Sequence, residues 1–244
     1  MPGTLAPTEA AAPAPLQRDS LQQQIYDRLH AGLTAGVFRP GTVMSSRGLA
    51  QQWAVSAMPV REALTRLTAE GALELTASRT HRVRILSPED FDEVTAIRTD
   101  LEGMAALRAG QTLGADDIAR IGALHGALAD AARSGDTDRY LAANAAFHAG
   151  IYAAAHWPLL LGMIQRLWLI VGPSIRACVP DAGHIGRSMV WHDAMLAAAK
   201  GRDAAALKAA ILDDIRTAAP DIRAHLVTAA STTGPDRPRE DIAP

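Results

Sequence analysis

The chain contains one cysteine, Cys178, so no intrachain disulfide can staple it. Aromatic residues occupy only 4% of its 244 positions. No apolar run approaches the ~18 uninterrupted residues that a membrane span requires. The opening residues lack a basic segment followed by an apolar core, the pattern of a secretory leader. No H-E-x-x-H or similar general-base spacing is present. These absences point away from secreted, membrane-spanning and zinc-protease classes and predict a cytoplasmic protein with no membrane partner. The composition, 48% apolar and 20% charged, suits two modest domains. The net charge of −2 is unevenly divided: residues 20–86 carry eight Arg against four acids, whereas residues 87–244 carry 15 basic and 20 acidic residues. A small basic module joined to an acidic partner domain fits nucleic-acid binding.

Within the basic part, Ser45 to Leu67 has the pattern of a helix-turn-helix. Ser46 is placed to cap a short helix with Leu49, Ala50 and Trp53 facing inward, ending at an Ala54-Val55 turn. Ser56 is placed to cap a second helix in which Val60, Leu64 and Leu67 recur at i, i+4, i+7. Met58, Arg61 and Thr65 then form an outward stripe. Pro59 falls in the first turn, where its missing N–H costs no helical bond. Such a helix fits the DNA major groove, and Arg61 is the candidate for a two-bond grip on guanine O6 and N7. Two amphipathic helices in a plain helical domain would look similar, so the flanks decide. Upstream, Leu21, Ile25, Leu29 and Leu33 form a helical stripe stopping at Gly36. Downstream, after Gly71, the alternating runs 72–76 and 82–85 read as two strands. Three helices and a basic hairpin make a winged helix-turn-helix.

Phe38-Arg39-Pro40-Gly41, Ser46-Arg47-Gly48-Leu49-Ala50, Val55-Ser56 and above all Pro59-Val60-Arg61-Glu62-Ala63-Leu64 resemble the amino-terminal domain of GntR-family bacterial transcription regulators. The resemblance implies DNA contacts from Arg47, Ser56, Arg61 and the wing residues Ser78 and Arg79; Met58 and Thr65 join them from the outward stripe. Two departures stand out. Ala57 replaces the usual Arg after Val-Ser, which removes one cationic contact per subunit, and Thr80 replaces a usual wing Gly.

Beyond a boundary at 86/87, Ser87-Pro88-Glu89-Asp90 is a helix start. Six helices are predicted, roughly 88–110, 115–133, 136–155, 158–177, 183–200 and 202–227, with no strand pattern. The fold class is therefore mainly α: a winged helix-turn-helix over 19–86, then an all-α effector-binding and dimerisation domain over 87–228. The Pro-rich ends, 1–18 and 229–244, are expected to be disordered.

Asn144 and His148 lie at i, i+4 on one helix face. His192 and Asp214 each lie 11 residues from Asp203, level with each other if two antiparallel helices turn there. Together they offer two imidazoles, a carboxylate and an amide oxygen, a set suited to Zn, Ni or Mn; N-x-x-x-H also arises by chance, so spacing leaves both readings open. Asp213 points about 100° away on its helix. The segments Ile97-Arg98-Thr99-Asp100-Leu101-Glu102, Asn144-x-x-Phe147-His148, His192 and Asp214-Ile215 resemble the FCD-type ligand-binding domain of the FadR subfamily. That resemblance implies a divalent metal held by Asn144, His148, His192 and Asp214, with the usual first Asp changed to Asn and the last His to Asp. It also implies Arg98 as a carboxylate-binding residue of the effector pocket; an ordinary pair with Glu102 at i, i+4 is the alternative. His125, His156, His184, Trp168 and Trp191 are further candidates for pocket walls. The function implied is a ligand-responsive repressor, a homodimer on a pseudo-palindromic operator of double-stranded DNA, sensing a small organic acid. Two competitors are a metal-free sensor of long-chain acyl-CoA and a metal-dependent hydrolase using His148, His192 and Asp214.

Overall fold

The computed structural model describes residues 21–178 and 182–232. Its elements are α1 (Leu21–Thr34), β1 (Val43–Met44), α2 (Ser46–Gln52), α3 (Ala57–Ala69), β2 (Leu73–Leu75), β3 (His81–Val83), α4 (Pro88–Thr112), α5 (Ala115–Ser134), α6 (Thr137–Ala153), α7 (Pro158–Cys178), α8 (Ala182–Gly201) and α9 (Ala204–Thr232). The winged helix-turn-helix followed by a helical bundle agrees with the sequence pattern; individual elements depart from it.

In the first module, Ile25, Leu29 and Leu33 of α1 meet Val60, Leu64 and Leu67 of α3 in one buried cluster. Leu21, expected on that stripe, sits at the helix start and is 48% exposed. The sheet has three strands rather than two, in the order β1-β3-β2, all antiparallel. At two residues, β1 is too short to show an alternating pattern. Gly71, at φ +86°, turns the chain out of α3 through a conformation that disfavours any side chain.

Ser87 and Asp90 form a reciprocal capping box at the start of α4. The sequence predicts an end near Gly110, yet α4 runs through it to Thr112. The glycine is there for packing: a Cβ at that position would lie 2.4 Å from Ala204 Cα at the start of α9. Likewise α9 continues past 228 to Thr232, because Leu226 still packs beside Phe91 and Ile222, and Thr228 and Ser231 donate back to the carbonyls of Ala224 and Val227. The remainder of the two expected tails lies outside the described residues.

Helix α7 joins the parts. Leu160, Ile164 and Trp168 enter the bundle core with Phe147, Ile151 and Ile211; Leu169 enters the core of the first module; Val171 joins Leu86, Phe91 and Leu226. Among the described residues it is the one helix long and apolar enough to cross a membrane by length and composition, and that apolarity serves three protein cores. Gly172 allows its backbone onto the end of α1, where a Cβ would stand 2.5 Å from the carbonyl oxygens of Leu33 and Thr34.

Candidate nucleic-acid interface and candidate metal centre

Helix α2 is capped by Ser45, whose Oγ accepts the Gly48 N–H at 3.2 Å; Ser46, the expected cap, is its first helical residue. The turn to α3 places Ala54 at φ +53° and closes with Val55 N–H donating to Ala50 O. Ser56 occupies the N-cap position of α3 without a side-chain capping bond, which leaves its hydroxyl outside the helix-end bonding. Because Val60, Ala63, Leu64 and Leu67 take the buried face, Met58, Arg61 and Thr65 project outward, Met58 being 60% exposed. The Thr65 hydroxyl donates to Arg61 O at 2.8 Å.

Arginine pairing divides the module. Arg66, Arg82 and Arg84 are neutralised by Glu70, Glu74 and Asp90, and Arg28 stacks on Trp53. Arg39, Arg47, Arg61 and Arg79 are exposed and make no ion pair among the described residues. Three of the four belong to the expected DNA-facing set. At the wing tip, Thr76 organises the turn: its N–H donates to Thr80 O, its carbonyl accepts from Arg79 N–H, and its Oγ1 accepts from Thr80 N–H. Arg79 holds φ +60°, and Ser78 Oγ lies 2.9 Å from Thr76 Oγ1. The left-handed residue is thus Arg79, and Thr80 stands at an ordinary backbone position.

The second site is interior. His148 on α6, His192 on α8 and Asp214 on α9 converge, their ligand atoms within 4.8 Å of one another. His148 Nε2 lies 3.2 Å from His192 Nε2 and 3.4 Å from Asp214 Oδ2, and His192 Nε2 lies 3.8 Å from the same oxygen. Two donors each about 2.1 Å from a tetrahedral zinc would stand roughly 3.4 Å apart, so the spacing fits a shared ion. His192 Nδ1 and Asp214 Oδ1 are buried without a hydrogen-bond partner. Burial draws the His192 imidazole down to about 4, with the Asp214 charge opposing only in part. Burial alone would push the Asp214 carboxyl up, but the neighbouring His192, His148 and Arg98 together hold it below the ordinary range. A neutral imidazole and an ionised carboxylate are the forms that bind a cation.

Asn144 and Asp214 line a cavity of about 40 Å³ with Arg98, Tyr140, His184 and Ser188. Asp213 is outside the cluster, 3.3 Å from Arg216. Arg98 both lines the cavity and pairs with Glu102, Nε to Oε1 at 2.6 Å. Of the further wall candidates, His184 and Trp168 line the cavity. His125 lies 2.8 Å from Asp193 without forming a hydrogen bond; His156 lies near Asp117; Trp191 donates to Thr217.

Two features lie beyond what the sequence signals, the Arg98–Glu102 spacing aside. Glu102, fully buried, accepts from Arg98, from Tyr152 Oη at 2.5 Å and from Trp168 Nε1 at 3.0 Å, across separations of up to 66 residues. On the exposed side of α7, Arg166 donates to the carbonyls of Glu70 and Ala69, at the end of α3, at 3.0 and 3.3 Å.

Residues 93–217 match the FCD domain family, and residues 21–83 match the family described as bacterial regulatory proteins, gntR family. The chain is 33% identical over 156 residues to the HTH-type transcriptional regulator McbR of Escherichia coli (strain K12), spanning 64% of this chain and 71% of that protein. It is 29% identical over 216 residues to a probable D-xylose utilization operon transcriptional repressor of Paenarthrobacter nicotinovorans, spanning 87% and 86%. The solved structure of E. coli McbR/YncC superposes with a TM-score of 0.79 at 28% identity, over 87% of this chain and all of the other.

Proposed function

The chain belongs to the gntR family of bacterial regulatory proteins and carries an FCD domain, and on that premise we propose a cytoplasmic repressor that binds a pseudo-palindromic operator as a homodimer and responds to a small organic acid. In this reading residues 19–86 bind DNA and residues 87–228 bind the effector and dimerise. The observation that carries it is the exposed set Arg47, Arg61 and Arg79, without ion pairs among the described residues, around the Met58, Arg61 and Thr65 stripe. Arg61 reads a base edge, Arg47 and Ser56 lie toward phosphate and base, and Arg79, with Ser78 beside it, lies toward the minor groove or backbone. The Paenarthrobacter relative is named a repressor, which supports that sign of control.

His148, His192 and Asp214, with Asn144 beside the cavity, would hold the divalent ion, either Zn, Ni or Mn. A bound ion supplies a Lewis-acidic position for one oxygen of an acid. Arg98 offers its guanidinium to the same acid, which must share it with Glu102. Glu102 also holds Trp168 on α7, and α7 carries Arg166 at the end of α3, so a shift at the cavity reaches the DNA-reading helix along one element. A coupling of about 1–3 kcal/mol between acid and operator suffices for regulation. The His148, His192 and Asp214 cluster beside the cavity favours a metal-bound acid over a metal-free acyl-chain sensor. McbR and the Paenarthrobacter relative are transcription regulators, which leaves the hydrolase reading without support.

The test is a gel-shift titration of Arg61→Ala on a duplex selected by the wild-type protein from a random pool. Lost affinity with an unchanged melting temperature is expected; unchanged affinity refutes the reading.

A further inference from the structure

Resting on the metal reading above, we propose that Tyr152 and Glu102 are positioning residues that fix the tautomer of His148 so that its Nε2 lone pair is directed at the metal position. Arg98 Nε and Trp168 Nε1 are donors only, and both end on Glu102 Oε1, at 2.6 and 3.0 Å. The other oxygen, Oε2, accepts the single proton of Tyr152 at 2.5 Å. The Tyr152 oxygen then has only lone pairs to offer to His148 Nδ1, 3.1 Å away, so Nδ1 carries the ring proton. His148 Nε2 is left bare, and it is the atom that faces His192 Nε2 and Asp214 Oδ2.

The helices build this in pairs one turn apart: Arg98 and Glu102 on α4, His148 and Tyr152 on α6. All four side chains are buried, so water does not compete for the proton positions. Neither Tyr152 nor Glu102 is among the ligand cluster, and their effect passes through His148.

The experiment has two parts, with cobalt(II) alone as the probe. Nitrogen-15 NMR of the metal-free wild-type protein is expected to show His148 protonated at Nδ1. Cobalt(II) titration followed by its visible absorption is expected to show Tyr152→Phe binding about 10–100-fold more weakly than wild type. A His148 proton found on Nε2, or a Tyr152→Phe variant with wild-type cobalt affinity, overturns the relay while the metal reading stands. A wild-type protein that takes up no cobalt overturns the metal reading and the relay with it. Should Tyr152→Phe not fold, the wild-type NMR result decides.

Discussion

The two halves of the molecule use charge in opposite ways. The first module keeps Arg39, Arg47, Arg61 and Arg79 exposed and without ion pairs among the described residues, whereas the bundle buries Arg98, Glu102, His148, His192 and Asp214 in one connected network. Exposed cations retain their hydration until a polyanion displaces it, which favours fast, salt-sensitive binding. Buried groups have lost their hydration on folding and are held in fixed positions by one another. Arginine therefore serves an exposed surface without ion pairs among the described residues and, as Arg98, an interior in which it is already paired with Glu102.

Disturbing the interior should have the greatest consequence. Glu102→Ala strands a buried Arg98 and should destabilise the protein by about 3–5 kcal/mol in denaturant unfolding; a change no greater than that of a surface substitution would show that the network carries no weight. Next, zinc at about 100 times its Kd should add roughly 2.7 kcal/mol of stability, read as a raised melting temperature that chelator or His192→Ala abolishes. On the surface side, Arg61→Ala should cost roughly 1–3 kcal/mol of operator binding per half-site, with stability unchanged. Arg166→Ala removes the bonds to Glu70 and Ala69 and should cost about 1 kcal/mol of stability while weakening the effect of metal on operator affinity. Weakest of all, Arg79→Ala should lower the slope of log affinity against log salt by roughly 1 for each phosphate no longer neutralised, with little change in sequence preference.

Legibility in the sequence follows the range of the interactions. Helices with long periodic faces, such as α5 ending at the left-handed Gly135, are readable because their signals lie within a turn or two. The two-residue β1 and the packing role of Gly110 are not, since both depend on what lies against them. Counting from Asp203 pairs His192 with Asp214 by a helical-hairpin argument, and the two stand 3.8 Å apart. Glu102, Tyr152 and Trp168 give no such sign of forming a unit, because their bonds span 50 and 66 residues and nothing local marks them.

Amide hydrogen exchange of the wild-type protein, with and without a duplex selected from a random pool, is the sharpest check on which surface meets DNA. Duplex is expected to slow exchange across residues 56–66 of the DNA-facing helix and residues 76–80 of the wing. Bound duplex with unchanged exchange in both segments would contradict the assignment of that face.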